Sequence, residues 1–408
     1  MIILAIETSC DDTCIAVIEL TSKKNTRFNI LSNIISSQVE IHKKYGGVWP
    51  TLAKREHQRN LVPVLEQSLK EAKLLDKSQK SNLKSQIYIS KFKTLEKILL
   101  REKNLFKELK KFLKKYQKPK IDSIAITNGP GLEPCLWTGV NFAKALACFW
   151  DLPIVPVNHI EAHILVNFIN KFQVSSFKFQ DLFPAICLVV SGGHTQLILM
   201  ENFGKYKILG ETRDDAAGEC FDKIARILGL GYPGGPAIAA KAAKLQTINS
   251  STLSSEPKGY KLLTKLPRPM IYSKDYDFSF SGLKTAVLYD YKKQPPKIKK
   301  SQKYLGWMAK EIQQAIIDVL IKKTIKAAKN FKAKTIILGG GVAANEELRK
   351  QFFENCKLKI ENCLFLVPPK NFCTDNAAMA AIAGYYAKLR GETEKWQKIK
   401  AEANLRIK

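Results

Sequence analysis

The sequence contains no run of about eighteen uncharged apolar residues, the least that crosses a bilayer as a helix, so no membrane-spanning segment is expected. An export signal is not expected either. The apolar start Met1–Ile6 lacks a basic flank and gives way at once to Glu7, Asp11 and Asp12, the pattern of a buried strand entering a polar turn. Nine cysteines, an odd number without a Cys-x-x-Cys pair, argue against a disulfide framework and suit reduced thiols in the cytoplasm. Cys10 and Cys14 are four apart across a turn and a strand, a poor spacing for metal ligands. Histidine is scarce, with 5 in 408 residues. Acids are scarce relative to bases: 37 Asp and Glu stand against 66 Lys and Arg, a formal net charge of +29. That imbalance points to a polyanionic partner such as nucleic acid, with coding bias toward lysine as the duller source.

What the sequence does hold is a repeated order of elements. Strands are expected over Ile2–Ile6, Cys14–Leu20 and Arg27–Gln38, the first two joined by the polar turn Glu7-Thr-Ser-Cys-Asp-Asp-Thr13. A helix should run from Thr51, its expected N-cap, to about Lys73. Ile121–Thr127 reads as a buried strand, Asn128-Gly-Pro-Gly131 as a tight loop, and Cys135–Asp151 as a helix. A strand over Leu152–Val157 then feeds a helix opening at Asn158. The second half repeats the theme. Strands Ala185–Val190 and Thr195–Met200 flank Ser191-Gly192-Gly193, and Asp214–Glu219 opens a helix that ends at the glycine-rich Gly231–Pro236. Residues 246–260 read as a loop, Tyr276–Leu283 as a strand and turn, Pro295–Lys303 as a basic loop, and Tyr304–Lys329 as a long helix. Strands Thr335–Leu338 and Leu364–Val367 follow, with Gly339–Asn345 between them. Phe372–Asn376 caps a small-residue helix, Ala377–Leu389. Two rounds of strand, strand, turn and helix predict an α/β protein of two related lobes with a cleft between them.

The Gly-Gly turns let backbone N–H groups approach an anion, because glycine has no Cβ, and an adjacent helix N-terminus favours negative charge. Two such loops and a cluster of acids within about fifty residues resemble a nucleotide site; a hairpin followed by an ordinary capped helix is the plainer alternative.

His159 and His163 lie four apart on one helix, so both imidazoles point the same way and can share a metal ion. Glu161 falls about 200° round the helix from the first histidine and cannot serve as the base of a zinc protease. A purely structural histidine pair is the other reading of this spacing. With so few histidines, a carboxylate is expected as third ligand, and Asp375 beside a helix N-cap is the candidate. Residues 76–118 form a separate feature. From Lys70 to Lys120 there are 17 Lys and Arg against 5 Asp and Glu, a net +12, with apolar residues at helical spacing. This reads as a basic amphipathic insertion, either touching nucleic acid or forming a solvated excursion.

Ten motifs taken together resemble the tRNA N6-adenosine threonylcarbamoyltransferases, a family once called O-sialoglycoprotein endopeptidases. They are Ile6-Glu-Thr-Ser-Cys-Asp-Asp-Thr13, Tyr45-Gly-Gly-Val48, Asn128-Gly-Pro-Gly-Leu132, His159-x-x-x-His163 and Val190-Ser-Gly-Gly-His-Thr-Gln-Leu197. Asp214-Asp-Ala-Ala-Gly-Glu219 with Phe221-Asp-Lys223, Tyr232-Pro-Gly-Gly-Pro236, Phe278-Ser-Phe-Ser-Gly-Leu-Lys284, Gly339-Gly-Gly-Val-x-x-Asn345 and Cys373-Thr-Asp-Asn376 complete the set. The resemblance implies two ribonuclease-H-like lobes of the actin-like, sugar-kinase-like ATPase fold: residues 1–155, carrying the 76–118 insertion, and 156–375. The tail 376–408 would pack back toward the first lobe.

It also implies transfer of a threonylcarbamoyl group from its adenylate to N6 of the adenosine at position 37 in tRNAs reading codons that begin with A, releasing AMP. His159, His163 and Asp375 match the family's metal ligands, for iron or alternatively zinc. Val189, Val190, Ser191, Gly192, Gly193, Asp222, Gly235 and Asn345 match its adenylate binders. Implied partners are tRNA, the adenylate, a smaller paralogue of the same fold and a P-loop ATPase. Three features depart from the family pattern: Thr51 where a glutamate is usual, Ala239 where many members carry aspartate, and the 76–118 insertion. An ATP-dependent small-molecule kinase of the same fold would use the same loops without needing a histidine pair.

Overall fold

A computed structural model describes residues 1–20, 27–78, 86–169, 179–247 and 265–408. Most of the loop expected over 246–260 and a part of the insertion, 79–85, lie outside them. The chain divides into two compact units, one comprising Met1–His42, Val48–Phe177 and Asp375–Lys408, the other Lys43–Gly47 and Lys178–Thr374. Expectation drew the boundary at 155–156. The division instead leaves His159, His163 and Asp375 together in the first unit.

The first unit is built on a five-stranded sheet of order β3-β2-β1-β4-β5. Its strands are β1 (Ile2–Glu7), β2 (Asp12–Leu20), β3 (Phe28–Ser37), β4 (Ser123–Gly129) and β5 (Ile154–Asn158). β2 runs antiparallel to β1 and β3, while β1, β4 and β5 are parallel. Side chains of β4 are buried along its whole length, as a central parallel strand covered on both faces requires. One face is covered by the helix Pro50–Glu71, which begins at Pro50 with Trp49 in the N-cap position rather than at a Thr51 cap. The helix Glu133–Trp150 covers it too. The C-terminal helix Ala377–Leu389 lies on β1, β2, β4 and β5. Its small residues permit that approach: a Cβ on Gly384 would stand 2.6 Å from the Cβ of Ala125.

Helices Gln86–Ile98 and Lys103–Lys115 of the insertion are not solvated excursions. Phe92, Leu95, Leu105, Leu109, Phe112 and Leu113 are buried in one cluster with Leu61, Leu65, Leu69 and Trp150. The lysines of the second helix cover the outer face, in the way an amphipathic helix divides its residues.

The second unit repeats the topology with its own sheet, order β10-β9-β6-β7-β8. Here β6 (Ala185–Val190) is central, β7 (Thr195–Asn202) and β8 (Lys205–Glu211) continue antiparallel, and β9 (Thr335–Gly339) and β10 (Leu364–Leu366) are parallel. Counted in chain order within each unit, both sheets read 3-2-1-4-5. That shared order is the two-lobed α/β architecture of the actin-like ATPases. Phe278 makes only an isolated bridge to Thr212, and no strand forms over 276–283. The carboxylate of Asp214 accepts the Phe280 N–H at 2.8 Å and the Ser279 and Ser281 hydroxyls at 2.5 and 2.6 Å. Held in this way, the segment turns into the helix Ser281–Lys293. Among the described residues no helix is long and apolar enough to cross a membrane, and all nine cysteines are free.

Candidate active site

In open α/β sheets ligands bind beyond the carboxyl ends of the parallel strands. In the first unit those ends are Glu7 of β1, Gly129 of β4 and Asn158 of β5. Asn158 accepts the N–H groups of Ile160 and Glu161 at 2.9 and 3.1 Å, a side-chain cap that starts the helix His159–Leu165 at the strand end. Asn376 caps the C-terminal helix in the same way through the Met379 N–H, 3.0 Å away. These two caps fix where His159, His163 and Asp375 begin.

The three side chains converge as expected, with one ligand atom from each lying within 4.8 Å of the others. Asp375 Oδ1 is 3.6 Å from His159 Nε2 and 3.2 Å from His163 Nε2, and the imidazole planes stand 81° apart. Both histidines are buried, while the Asp375 side chain is partly open to solvent. Glu161 is ion-paired with Arg390 at 3.1 Å, outside the cluster.

Glu7 supports this set from behind. Its Oε2 accepts from Nδ1 of His159 at 3.1 Å, and its Oε1 accepts the Ser9 N–H at 2.6 Å. Ser9 Oγ is 3.2 Å from the same Nδ1. A proton on Nδ1 leaves the Nε2 lone pair facing His163 and Asp375, the tautomer a metal ligand needs. Burial alone would depress His159, but the carboxylates of Asp375 and Glu7 outweigh it and push the imidazole up to about 9. That field favours positive charge at this point. Burial holds His163 down, and neither of its ring nitrogens makes a hydrogen bond of proper geometry. Two neutral-capable imidazoles and one carboxylate on a single face fit a first-row divalent ion with coordination positions left open. The polar turn at 8–12 is firmly held. Thr8 Oγ1 donates to the Cys135 carbonyl, Ser9 O accepts the Leu132 N–H at 2.7 Å, and burial pushes Asp12 up to about 7.

In the second unit the parallel neighbours β6 and β9 end in register, Val189 opposite Gly339. Ser191-Gly192-Gly193 therefore leaves from the same sheet edge as Gly340 and Gly341. The turn is closed by Ser191 N–H on the His194 carbonyl and His194 N–H on Ser191 Oγ, at 2.8 and 3.1 Å. The helix Ala217–Leu228 starts against it. A Cβ on Gly218 would come within 2.5 Å of Ser191 O, so glycine is required there. By contrast, a Cβ on Gly192, Gly193 or Gly235 would meet no protein atom within 4 Å.

Asp222, on that helix, accepts the Gly234 N–H at 2.6 Å, tying the second glycine loop to the first. The turn Gly341–Ala344 packs on β6 and on the same helix. Asn345 caps the helix Glu346–Lys359 through the Leu348 N–H and donates to Gln313, at 3.0 and 2.9 Å, so its side chain has a structural role in place. Val189 and Val190 are buried strand residues that can present only backbone. The expected adenylate residues thus fall in the second unit and the expected metal ligands in the first.

A family model described as tRNA N6-adenosine threonylcarbamoyltransferase (TsaD) matches residues 29–78 and 101–382. The chain belongs to this family. The threonylcarbamoyltransferase of Thermosipho melanesiensis is 42% identical over 385 residues, covering 94% of each chain. That of Thermosipho africanus is 40% identical over 408 residues and covers 100% of both chains. The Thermomicrobium roseum protein is 40% identical over 408 residues, with 96% of this chain and 93% of its own covered.

As a member of a threonylcarbamoyltransferase family, the chain is a transferase of tRNA modification. Within the 76–118 insertion the family match leaves out residues 79–100 and includes the helix Lys103–Lys115. Glu7 and Ser9 are not among the site residues expected from sequence. Their signal is the polar turn after β1, but nothing local shows that its first carboxylate reaches a histidine 152 positions away.

Proposed function

We propose that this chain transfers the threonylcarbamoyl group of threonylcarbamoyl-adenylate to N6 of adenosine 37 in tRNAs that read codons beginning with A, releasing AMP. The observation that carries this reading is the buried His159–His163–Asp375 convergence in a chain that belongs to the family. A small-molecule kinase of the same architecture would leave that set without a purpose.

The exposed backbone of Ser191, Gly192 and Gly193, with Val189, Val190, Asp222, Gly235 and Asn345, would hold the adenylate. His159, His163 and Asp375 would hold one divalent ion, Fe2+ or alternatively Zn2+, which when bound supplies Lewis-acid polarisation of a carbonyl oxygen. Glu7 holds a proton on His159 Nδ1, so the proton given up on binding an ion would be the one on Nε2. The attacking group is the exocyclic amine of the adenine and the leaving group is AMP, so no serine or cysteine nucleophile is required. Positioning of an already activated acyl donor supplies a large part of the rate. The reaction would take place in the cytoplasm, with a smaller paralogue of the same fold and a P-loop ATPase as partners.

The test is to supply the full chain and these partners with tRNA and threonylcarbamoyl-adenylate, then to quantify AMP and the modified nucleoside. Equimolar AMP and N6-threonylcarbamoyladenosine support the proposal. No modified nucleoside in this assay, together with ADP and a phosphorylated product when the chain alone is given ATP and a small-molecule hydroxyl acceptor, would establish the kinase reading instead.

A further inference from the structure

The strongest unassigned feature lies in the second unit, at the turn between the helix Ser281–Lys293 and the helix Gln302–Asn330. Within twelve residues it carries Lys292, Lys293, Lys297, Lys299, Lys300 and Lys303, and not one acid. A two-proline step, Pro295-Pro296, and the short helix Pro296–Lys299 join the two longer helices. Lys292, Lys293, Lys297 and Lys300 are exposed and Lys299 is partly so. Among the described residues none of these five is ion-paired with a carboxylate, and Lys299 lies over the Tyr291 ring. The nearest acid in sequence, Asp290, is buried and taken up by the Tyr304 hydroxyl at 2.9 Å.

This differs from the basic helix Lys103–Lys115. There Lys111 is paired with Glu108 and Lys115 with Glu66, at 2.8 and 3.1 Å, and Lys110 lies over the Phe92 and Phe106 rings. Part of that charge is already answered by carboxylates within the protein, whereas at the 292–300 turn like charges are held side by side.

Two further observations favour an anionic polymer. The helix Gln302–Asn330 begins at the same turn, with Ser301 in the N-cap position making no side-chain cap and with no acid in its first turn, so its positive end is uncompensated. Tyr289 is 60% exposed, and it precedes Lys292 and Lys293 by three and four residues, on the same face of its helix. An exposed aromatic ring beside lysines without carboxylate partners is the combination that stacks on a base or ribose while the cations neutralise phosphates.

We infer that the Lys292–Lys300 turn, with Tyr289, is a docking surface for the phosphodiester backbone of the tRNA substrate, away from the reacting base. The inference rests on the proposed transferase function. It locates sequence-independent affinity on this turn, leaving choice of the adenosine to the site itself.

The test uses the full chain and a labelled tRNA across a salt series, comparing the protein with K292Q/K293Q/K297Q/K299Q/K300Q and with the same five lysines changed to arginine. Each phosphate that is no longer neutralised should flatten the plot of log affinity against log salt by about one. The glutamine variant should therefore bind tRNA at least about tenfold more weakly near physiological salt, with a shallower slope and unchanged adenylate binding. The arginine variant should keep both affinity and slope. Y289A should weaken binding a further fewfold with no change in slope. Equal slopes for the unaltered protein and the glutamine variant, while the unaltered protein still binds and modifies tRNA, would overturn the docking surface and leave the transferase standing. An unaltered protein that binds no tRNA and forms no modified nucleoside would overturn both.

Discussion

Glu7 Oε2 and His159 Nδ1 face each other at 3.1 Å, at the carboxyl ends of parallel strands β1 and β5, which β4 separates in the sheet. The pair decides which nitrogen of His159 carries its proton, and so whether the imidazole can ligate. Glu7→Gln is nearly isosteric, but its amide can present an N–H to Nδ1 and drive the proton onto Nε2, where it blocks the lone pair. Metal affinity should fall about ten- to a hundredfold while the protein stays folded. Competition titration with a chelator measures this, and unchanged affinity would show that Glu7 does not set the tautomer.

The glycines of the second unit separate into two kinds. Gly193→Val puts a side chain into space free of protein, so adenylate binding should be abolished with little change in unfolding temperature. Gly218→Val drives a Cβ to 2.5 Å from Ser191 O and should cost at least about 1–3 kcal/mol of stability. Paired calorimetry and ligand-binding measurements distinguish them. If Gly193→Val unfolds the protein, these glycines serve only the turn.

Much of this arrangement is visible in the residues themselves, because it follows from local rules. The i, i+4 histidines, the asparagine caps and the alternation of buried strands with glycine turns each state their structure over a few positions. What the sequence hides depends on partners far away in the chain. Asp214 turns 276–283 from an expected strand into the start of a helix, and its effect is exerted across some 65 positions. The strand Lys205–Glu211 alternates too weakly to announce itself, and it exists because β7 offers a free edge. The helix Gly234–Thr247 opens on Gly-Gly-Pro, which reads locally as the continuation of a loop. Glu7 belongs to the same class, since only the sheet order brings β1 and β5 to a common edge.

The insertion offers a stability test. Leu109 is fully buried against the core of the first unit. Leu109→Ala should cost about 2–5 kcal/mol by chemical denaturation. A loss below about 0.5 kcal/mol would mean that the basic helices are an independent appendage after all.

His57 contributes a pH dependence of definite sign. Its Nε2–H donates to the Cys10 carbonyl at 3.0 Å, which leaves Nδ1 to accept from the Thr13 hydroxyl at 2.7 Å. Burial depresses this imidazole from 6.5 to about 4, so it is neutral in the folded protein. The unfolded chain takes up the proton first as pH falls. The stability His57 contributes is therefore complete above about pH 6.5 and drains away between about 6.5 and 4. By pH 5 its share of the loss should be about 2 kcal/mol. Denaturation at pH 7.5 and pH 5 should show a smaller difference for His57→Gln than for the unaltered protein, and equal differences would contradict the assignment.

The proposed function gives the His159–His163–Asp375 set a part in threonylcarbamoyl transfer to tRNA. The most direct measurement is mass spectrometry of tRNA nucleosides from cells depleted of this protein and supplied either with it or with the His159→Ala, His163→Ala double variant. N6-threonylcarbamoyladenosine should disappear on depletion, return with the unaltered protein, and stay absent with a double variant that is folded and free of metal. Full restoration of the nucleoside by that variant would contradict it.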